Sequence, residues 1–291
     1  MTALSLQRQR FGRRRVVNAI AIGAMGAAIL AALFPLLAVL TYTARRGAGA
    51  ISLDFFTHSM RGVADRDVGG GAYHAIIGTL EQVGLATLIS VPVGLLVAIY
   101  LVEYGAGRLA GLVRFVVDVM TGVPSIVAGL FIYAFWVLAL GKGYSGLAAA
   151  FALSVLMLPV VIRASEEMLK LVPAELREAS YALGVPRYRT VLRVVLPAAS
   201  AGLTTAVMLA VARVTGETAP LLLTAFGLDS INVNPFKGPQ SSLPQFVYKQ
   251  VSSPYPAAVQ RAWAGALTLI GVVLALTVIA RVVTRRNRLV S

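Results

Sequence analysis

Residues 173–184 read PAELREASYALG, a short polar stretch that lies between long apolar runs. Proline suits the first turn of a helix, carboxylates favour the positive end of the helix dipole, and glycine readily adopts the conformation that ends a helix. The stretch therefore predicts a helix of about ten residues that stops at Gly184. Two small residues on it would let another protein's surface approach closely. The three-and-four spacing gives this helix one face formed by Leu176, Ala179, Ser180 and Leu183.

Long uncharged runs flank this stretch and occupy most of the chain. Hydrophobic residues make up 58% of the 291 residues and charged residues only 13%, whereas a soluble domain has about 25% charged residues. Roughly 20 apolar residues span the hydrocarbon core of a bilayer, so each run is a candidate membrane helix. The sequence predicts an all-α polytopic membrane protein with six transmembrane helices, the fifth continuing past Arg213 and Glu217 to Leu228. The uncharged runs are 16–44, 82–102, 119–141, 143–162, 194–212 and 262–280.

The basic residues divide unequally between the two sides of this arrangement. With six spans, 17 basic residues fall on the side of both termini and of residues 163–197, and 8 fall on the other side. Because positive residues are retained in the cytoplasm, we expect the N- and C-termini to be cytoplasmic. The first uncharged run has 29 residues, longer than the roughly 7 to 15 of a secretory signal core, so we expect an uncleaved first helix.

Composition also excludes several kinds of site. The sequence has no cysteine, which removes disulfides, iron–sulfur clusters and thiol catalysis. We expect its two histidines, His58 and His74, to lie on the surface beside the first outer loop, and we predict no metal site. Residues 141–143 lack the spacing of a phosphate-binding loop. The net charge of +14 follows from the membrane topology, so we expect no nucleic-acid partner.

Two charges interrupt the fifth apolar run. Arg213 and Glu217 are four residues apart, which predicts that they share one face of a helix, loosened by the nearby Pro220. A charge at the bilayer centre costs roughly 2.5 to 3.5 kcal/mol on insertion scales and is by default a functional candidate. A guanidinium can also offer a fork of donors to an oxyanion. The alternative is a structural ion pair that neutralises itself.

Glycine and proline interrupt other segments. In the third run, Gly122 and Pro124 either break the helix, presenting backbone N–H groups and the Ser125 hydroxyl to an anion, or make a packing kink. The glycines of residues 69–71 suggest a flexible outer loop. The outer segment 229–261 contains five prolines, and it predicts either an ordered lid or docking loop, or a simple connection.

Beyond Gly184 the polar stretch completes a longer pattern. Glu-Ala-Ser at 178–180, glycine at 184, and then Val194, Leu196 and Pro197 follow the spacing of a signature in the permease subunits of bacterial ABC importers. Serine for the second alanine and valine for isoleucine are the departures. The sequence therefore resembles that family, which implies the type I (MetI-like) fold, a single permease domain over 1–291 and a cytoplasmic coupling loop at 163–197. The resemblance implies contacts with an ATPase through Glu178, Ala179, Ser180, Gly184, Leu196 and Pro197.

Further stretches resemble the phosphate-importing members of the family. They are residues 69–80, 122–130, 212–222 and 232–244. The resemblance implies inorganic phosphate as substrate and places Arg213 and Glu217 at positions associated with its translocation. It also implies a second permease subunit, two ATPase subunits that hold ATP and magnesium, an outer phosphate-binding protein and surrounding membrane lipid. This chain itself would carry no cofactor and would not be an enzyme.

Three other functions remain open from the residues. A sulfate or molybdate permease would use the same oxyanion chemistry. A proton-coupled secondary transporter would use Glu217 as its proton site but leaves the cytoplasmic stretch unexplained. A membrane-embedded enzyme would need a nucleophile with a neighbouring base, and the sequence offers no plausible pair.

Overall fold

Helices account for nearly all the regular structure. The computed structural model describes residues 3–288, and the side chains of residues 14–282; within these ranges it contains no β-strand. The α-helices are α1 (Ala3–Ala48), α2 (Leu53–Thr57), α3 (Tyr73–Ile99), α4 (Arg108–Thr121), α5 (Ser125–Ile132), α6 (Gly146–Lys170), α7 (Ala174–Ala182), α8 (Arg187–Thr190), α9 (Leu196–Thr215), α10 (Ala219–Thr224), α11 (Leu243–Val251) and α12 (Pro256–Arg288). Three π-helical stretches continue α3, continue α5 and join α8 to α9: Tyr100–Tyr104, Tyr133–Ala139 and Val191–Val195.

Five helical segments are long and apolar enough to cross a membrane, and a bent pair makes a sixth candidate. The bent pair consists of Arg108–Thr121 and Ser125–Ala139, whose axes differ by 104°. This agrees with the predicted all-α fold and with six spans when the bent pair is counted as one. The third predicted run is therefore not a straight helix. The five single spans are Arg14–Ala48, Tyr73–Tyr104, Gly146–Lys170, Arg187–Thr215 and Pro256–Val282.

Helix α6 forms the centre of the core, between α3 and α9. A Cβ atom added to Gly94 of α3 would lie 2.6 Å from a methyl carbon of Val161 of α6. The two helices are therefore in close backbone contact, as small residues permit in membrane proteins. Alanines on α6 serve the same purpose, because they are fully buried at positions 148, 149, 150 and 152.

The connections gather at two ends of the bundle. At one end, Ser145 of the turn before α6 donates from its amide to Thr224 at the end of α10, and Leu147 donates to Pro235. The turn itself uses positive φ at Gly141 and Gly143. The end that contains residues 49–72, 140–145 and 225–255 is called the outer end after the predicted topology, and the opposite end contains 105–107 and 171–195. The grouping is the one that an even number of spans requires.

The loop that contains the glycines at 69–71 packs against α2 and α12. Arg261 of α12, only 5% exposed, donates to the carbonyls of Asp65, Asp67 and Gly69 at 3.0, 2.6 and 3.2 Å. A Cβ atom on Gly71 would lie 2.6 Å from three backbone oxygens. Close backbone packing, rather than freedom of movement, explains this glycine.

His74 is buried, which corrects its placement on the surface. Helix α3 begins at Tyr73, so His74 lies in its first turn with only 3% of its surface exposed. Its ring packs edge-on against Phe246 of α11, with 5.8 Å between ring centroids. His58 is exposed, as expected.

The proline-rich outer segment is ordered and partly buried. Leu243 donates from its amide to Thr79 of α3 at 2.7 Å, and Gln245 donates to the carbonyl of Leu221 of α10 at 2.8 Å. Gln240 is 1% exposed and accepts a hydrogen bond from Gln82 of α3. This segment therefore covers the outer ends of α3 and α10 and is fixed to both by hydrogen bonds.

Candidate functional site

Helix α7 forms where the polar stretch predicted it, and its two ends have the expected signals. Pro173 precedes it, and Gly184 follows it with φ +75°. The Gly184 amide donates to Tyr181 and the Val185 amide donates to Ser180, at 2.9 and 3.2 Å. Glycine is favoured at this position because other residues resist a positive φ. The cap turns the chain sharply towards α8.

The docking residues on α7 do not all face outward. Glu178 and Ala179 are exposed, and the neighbouring Leu183 is 83% exposed. Ser180 is only 7% exposed, with its hydroxyl 2.8 Å from the hydroxyl of Thr190. Ser180 therefore offers little of its own surface to a partner, because its side chain attaches α7 to α8.

An open groove of about 610 Å³ runs beside α7. Ala179, Ser180 and Gly184 contribute to its walls, together with Arg189 and Arg193. Leu196 and Pro197 lie elsewhere. Leu196 packs against the buried side chains where α3, α6 and α9 meet, and Pro197 is exposed in the first turn of α9. The structure thus brings together only part of the predicted docking set.

Arg213 and Glu217 lie at a break in the fifth span. Helix α9 ends at Thr215 and α10 starts at Ala219, so the two charges do not share a helical face and that expectation is wrong. Arg213, in the last turn of α9, is exposed and Glu217 is half-buried. Among the described residues neither side chain forms an ion pair or hydrogen bond, so the self-neutralising alternative is not realised here.

A second break contains the other predicted substrate residues. Gly122 ends α4 and is exposed, and Ser125 starts α5 and is half-buried. The amides of Val127 and Ala128 donate to the Pro124 carbonyl. Within the described part of the chain, no acceptor is present for the Ser125 amide. The break therefore presents a free helix N-terminus, a position that favours anions.

The outer halves of the two broken spans pack together. A Cβ atom on Gly129 of α5 would lie 2.5 Å from the Cα atom of Pro220 of α10. Gly129 is about one turn from Ser125, and Pro220 is three residues from Glu217. This contact places the start of α5 and the start of α10, and hence the two breaks, next to each other.

Sequence reasoning missed an ionic network on the opposite side of α4. Glu166 is fully buried and accepts from Arg114 of α4 at 3.0 Å and from Arg163 at 2.9 Å. Arg163 also binds Asp118, and Lys170 lies 3.2 Å from Glu166. The spacing of residues 163, 166 and 170 on one helix face was an available signal. The network attaches α4 to α6 on the N-terminal side of the break at Gly122–Pro124.

Comparisons with known proteins agree with this architecture. A family model described as binding-protein-dependent transport system inner membrane component matches residues 90–289. The phosphate transport system permease protein PstA 1 of Mycobacterium tuberculosis (strain H37Rv) is 48% identical over 282 residues, covering 95% of this chain and 92% of the relative. The permease protein PstA of Pasteurella multocida is 39% identical, covering 94% of this chain and 96% of its own length.

Solved structures share the fold at low sequence identity. An inward-facing MetNI methionine ABC transporter is 22% identical with a TM-score of 0.59, covering 81% of this chain and 99% of the other. A bacterial ABC transporter that imports alginate is 14% identical with a TM-score of 0.59, covering 94% and 99%. The fold, the family match and relatives that align almost from end to end lead to one conclusion. This chain belongs to the binding-protein-dependent transport system inner membrane components, in the family of PstA permease proteins.

Proposed function

We propose that this protein is the membrane-spanning permease subunit of an ATP-driven importer and that it translocates inorganic phosphate across the bacterial inner membrane. The observation that carries the proposal is the 48% identity over 95% of the chain to a protein named as a phosphate permease. The site chemistry supports it, because an unpaired arginine and a free helix N-terminus at neighbouring breaks both favour an oxyanion.

Arg213 is the primary substrate contact in this proposal. Its guanidinium offers bidentate donors to phosphate oxygens, and no carboxylate among the described side chains of residues 14–282 occupies them. Glu217 repels the bound anion and thereby lowers the affinity of the site for phosphate, which allows the anion to be released. Gly122 and Ser125 form a secondary contact, through backbone amides and the Ser125 hydroxyl.

The coupling loop 163–197 connects this subunit to its ATPase. The exposed Glu178 and Ala179 on α7, and the turn at Gly184, form the docking surface. Ser180 and Leu196 support that surface from within, and Pro197 begins the helix that leads to Arg213. ATP and magnesium are bound by the partner ATPase. This chain holds no cofactor and performs no covalent chemistry, and its own task is to rearrange helices.

The complex contains a second, PstC-like permease subunit, two PstB-like ATPase subunits and an outer PstS-like phosphate-binding protein. Exposure of the substrate residues favours this composition, because Arg213 would face lipid unless another subunit covered it. Helix α1 also needs an apolar environment. It packs against α12 near Gly47, while side chains such as Phe34 are 76% exposed and face lipid or the second permease. Both termini are cytoplasmic, which the distribution of basic residues favours.

Uptake into cells distinguishes this function from the alternatives. Phosphate uptake should stop when ATP is depleted and persist when the proton gradient is collapsed with ATP maintained. Sulfate and molybdate in excess should not compete. Uptake that follows the proton gradient would instead establish the secondary transporter, and competition by sulfate or molybdate would establish a permease for another oxyanion.

A further inference from the structure

The guanidinium of Arg177 attaches α7 to the ends of α3 and α6. Arg177 lies in the middle of α7 and directs its side chain away from the exposed docking surface. Its Nε and Nη2 atoms donate to Oε1 of Glu103 at 3.0 and 2.9 Å. Glu103 lies in the π-helical stretch that continues α3. The Arg177 side chain is 17% exposed and the Glu103 side chain 3%, so this ion pair is largely removed from water.

The same guanidinium also caps α6. Nη1 donates to the carbonyl of Val172 at 2.7 Å, and Nη2 donates to the carbonyl of Leu169 at 3.0 Å. Helix α6 ends at Lys170, so the Leu169 carbonyl lies in its last turn, where the Val172 amide also donates to it at 3.3 Å, and the Val172 carbonyl lies just beyond that turn. A cation is favoured at that end by the helix dipole. Arg177 therefore joins three elements: α7, α6 and the end of the α3 span.

The other attachments of this region are weaker. Ser180 shares a neutral hydrogen bond with Thr190 of α8. Arg187 lies over the ring of Tyr104, 4.9 Å from its centroid, a contact that contributes little at an exposed site. In the part of the chain whose side chains are described, Arg177 forms the one ion pair between α7 and a membrane span.

We infer that Arg177 and Glu103 are a positioning pair that transmits movement of α7 to α3 and α6 during transport. The inference rests on the proposed docking of α7 to the ATPase. Breaking the contact would leave a carboxylate buried without a partner, which is strongly unfavourable. When the ATPase displaces α7, the ends of α3 and α6 therefore move with it as one unit. Without the pair, α7 would move without displacing the ends of α3 and α6.

A purely structural pair and a transmitting pair differ in one measurable quantity. A structural pair would change how much complex assembles, but each assembled complex would still move the normal amount of phosphate per ATP. A transmitting pair would change the ratio of phosphate moved to ATP hydrolysed. The test uses the full complex in vesicles, with inorganic phosphate and the outer binding protein supplied. Copurification of the ATPase reports the proposed docking separately.

The informative variants are Glu103→Gln, Arg177→Lys and Arg177→Ala. We expect the ATPase to copurify and hydrolyse ATP in each, and the phosphate-to-ATP ratio to fall about ten-fold for Arg177→Ala, within the usual range of coupling free energies. Arg177→Lys should fall less, because lysine keeps the charge but not the fork. The matched control is Glu167→Gln, which removes an exposed pair with Lys170 on the same end of α6. A normal ratio in assembled Arg177→Ala complexes would overturn the inference.

A second measurement needs no change to the pair. The chain has no cysteine, so spin labels can be placed at Ala182→Cys on α7 and Ala106→Cys beyond the end of α3. Both positions are exposed. The label-to-label distance should be the same in nucleotide-free and ATP-bound complexes, because the two segments move together. A distance that changes with nucleotide would overturn the inference, whatever the variants do.

Discussion

Arg213 is the proposed primary contact for the substrate. It is exposed and has no carboxylate partner in the described structure, although Glu217 is close in sequence. We expect replacement of both residues by leucine to leave assembly with the ATPase and second permease intact and to abolish phosphate uptake. Arg213→Lys should reduce uptake about ten-fold or more, since a charge-assisted fork contributes roughly 1.5 to 3 kcal/mol. Uptake of radiolabelled phosphate into vesicles measures both effects.

Glu217→Gln is the companion variant and should be milder. Removing the carboxylate lessens repulsion of the anion, so we expect tighter phosphate binding and slower release. Normal transport by the double leucine variant would remove the substrate role from this pair while leaving the family assignment untouched.

Glu166 has a structural role at the same scale. It is fully buried and accepts hydrogen bonds from two arginines. Glu166→Leu leaves Arg114 without its ion-pair partner, whereas Arg163 keeps Asp118. Because both guanidiniums are partly exposed, we expect a cost below the roughly 3 to 5 kcal/mol of a fully buried pair. We expect a clear fall in the thermal unfolding midpoint of the purified complex. Glu167→Gln, on the exposed neighbour, should change it little; equal midpoints for the two variants would contradict the assignment.

Among the elements, α7 carries the proposed link to ATP hydrolysis. Gly184→Val requires a β-branched residue at φ +75°, a strained conformation, and should displace the turn that follows α7. Ala179→Arg places a bulky charge on the exposed face of α7. Both should insert into the membrane normally and lose ATPase copurification, measured by affinity purification of a tagged permease. Retention of the ATPase by both variants would refute the docking role.

Local signals explain why some elements were predictable and others were not. Pro173 and Gly184 bound α7 because capping is a property of adjacent residues, so the sequence was sufficient there. The inward direction of Ser180 depends on Thr190 across a turn, and the burial of His74 depends on α11. The break after Thr215 was foreseen only as a loosened helix. The complete interruption of the helix is accompanied by the contact between Gly129 and Pro220. These two residues are too far apart in sequence for a local pattern to predict that contact.

At the scale of the whole molecule, the number of spans followed directly from the apolar runs, whereas the tertiary arrangement did not. Six runs fit five long helices and one bent pair. The 104° bend lies where Gly122 and Pro124 interrupt the helix. The sequence predicted a break or a kink at this place but not its angle. The extent of hydrogen bonding at the outer end was not predicted, because Arg261 and Gln240 bind partners that are distant in sequence.

The topology can be tested with single cysteines in this cysteine-free chain. Ser5 and Ser291 should be labelled only from the cytoplasm; Ser291 lies outside the described residues. Ser241 is 7% exposed and is therefore a poor outer site. Val68 is the better outer position, because it is 94% exposed. A cysteine at this position should react with an impermeant reagent from outside. Labelling of Ser291 from outside would remove one span from the arrangement.

The central claim is that ATP hydrolysis on a partner drives phosphate through this permease. The most direct measurement is the ATPase rate of the purified complex in vesicles, with the binding protein saturated in turn by different oxyanions. We expect inorganic phosphate to stimulate hydrolysis and to accumulate inside, and sulfate and molybdate to do neither. Hydrolysis that phosphate leaves unchanged while sulfate or molybdate stimulates it, or phosphate accumulation that does not require ATP, would contradict it.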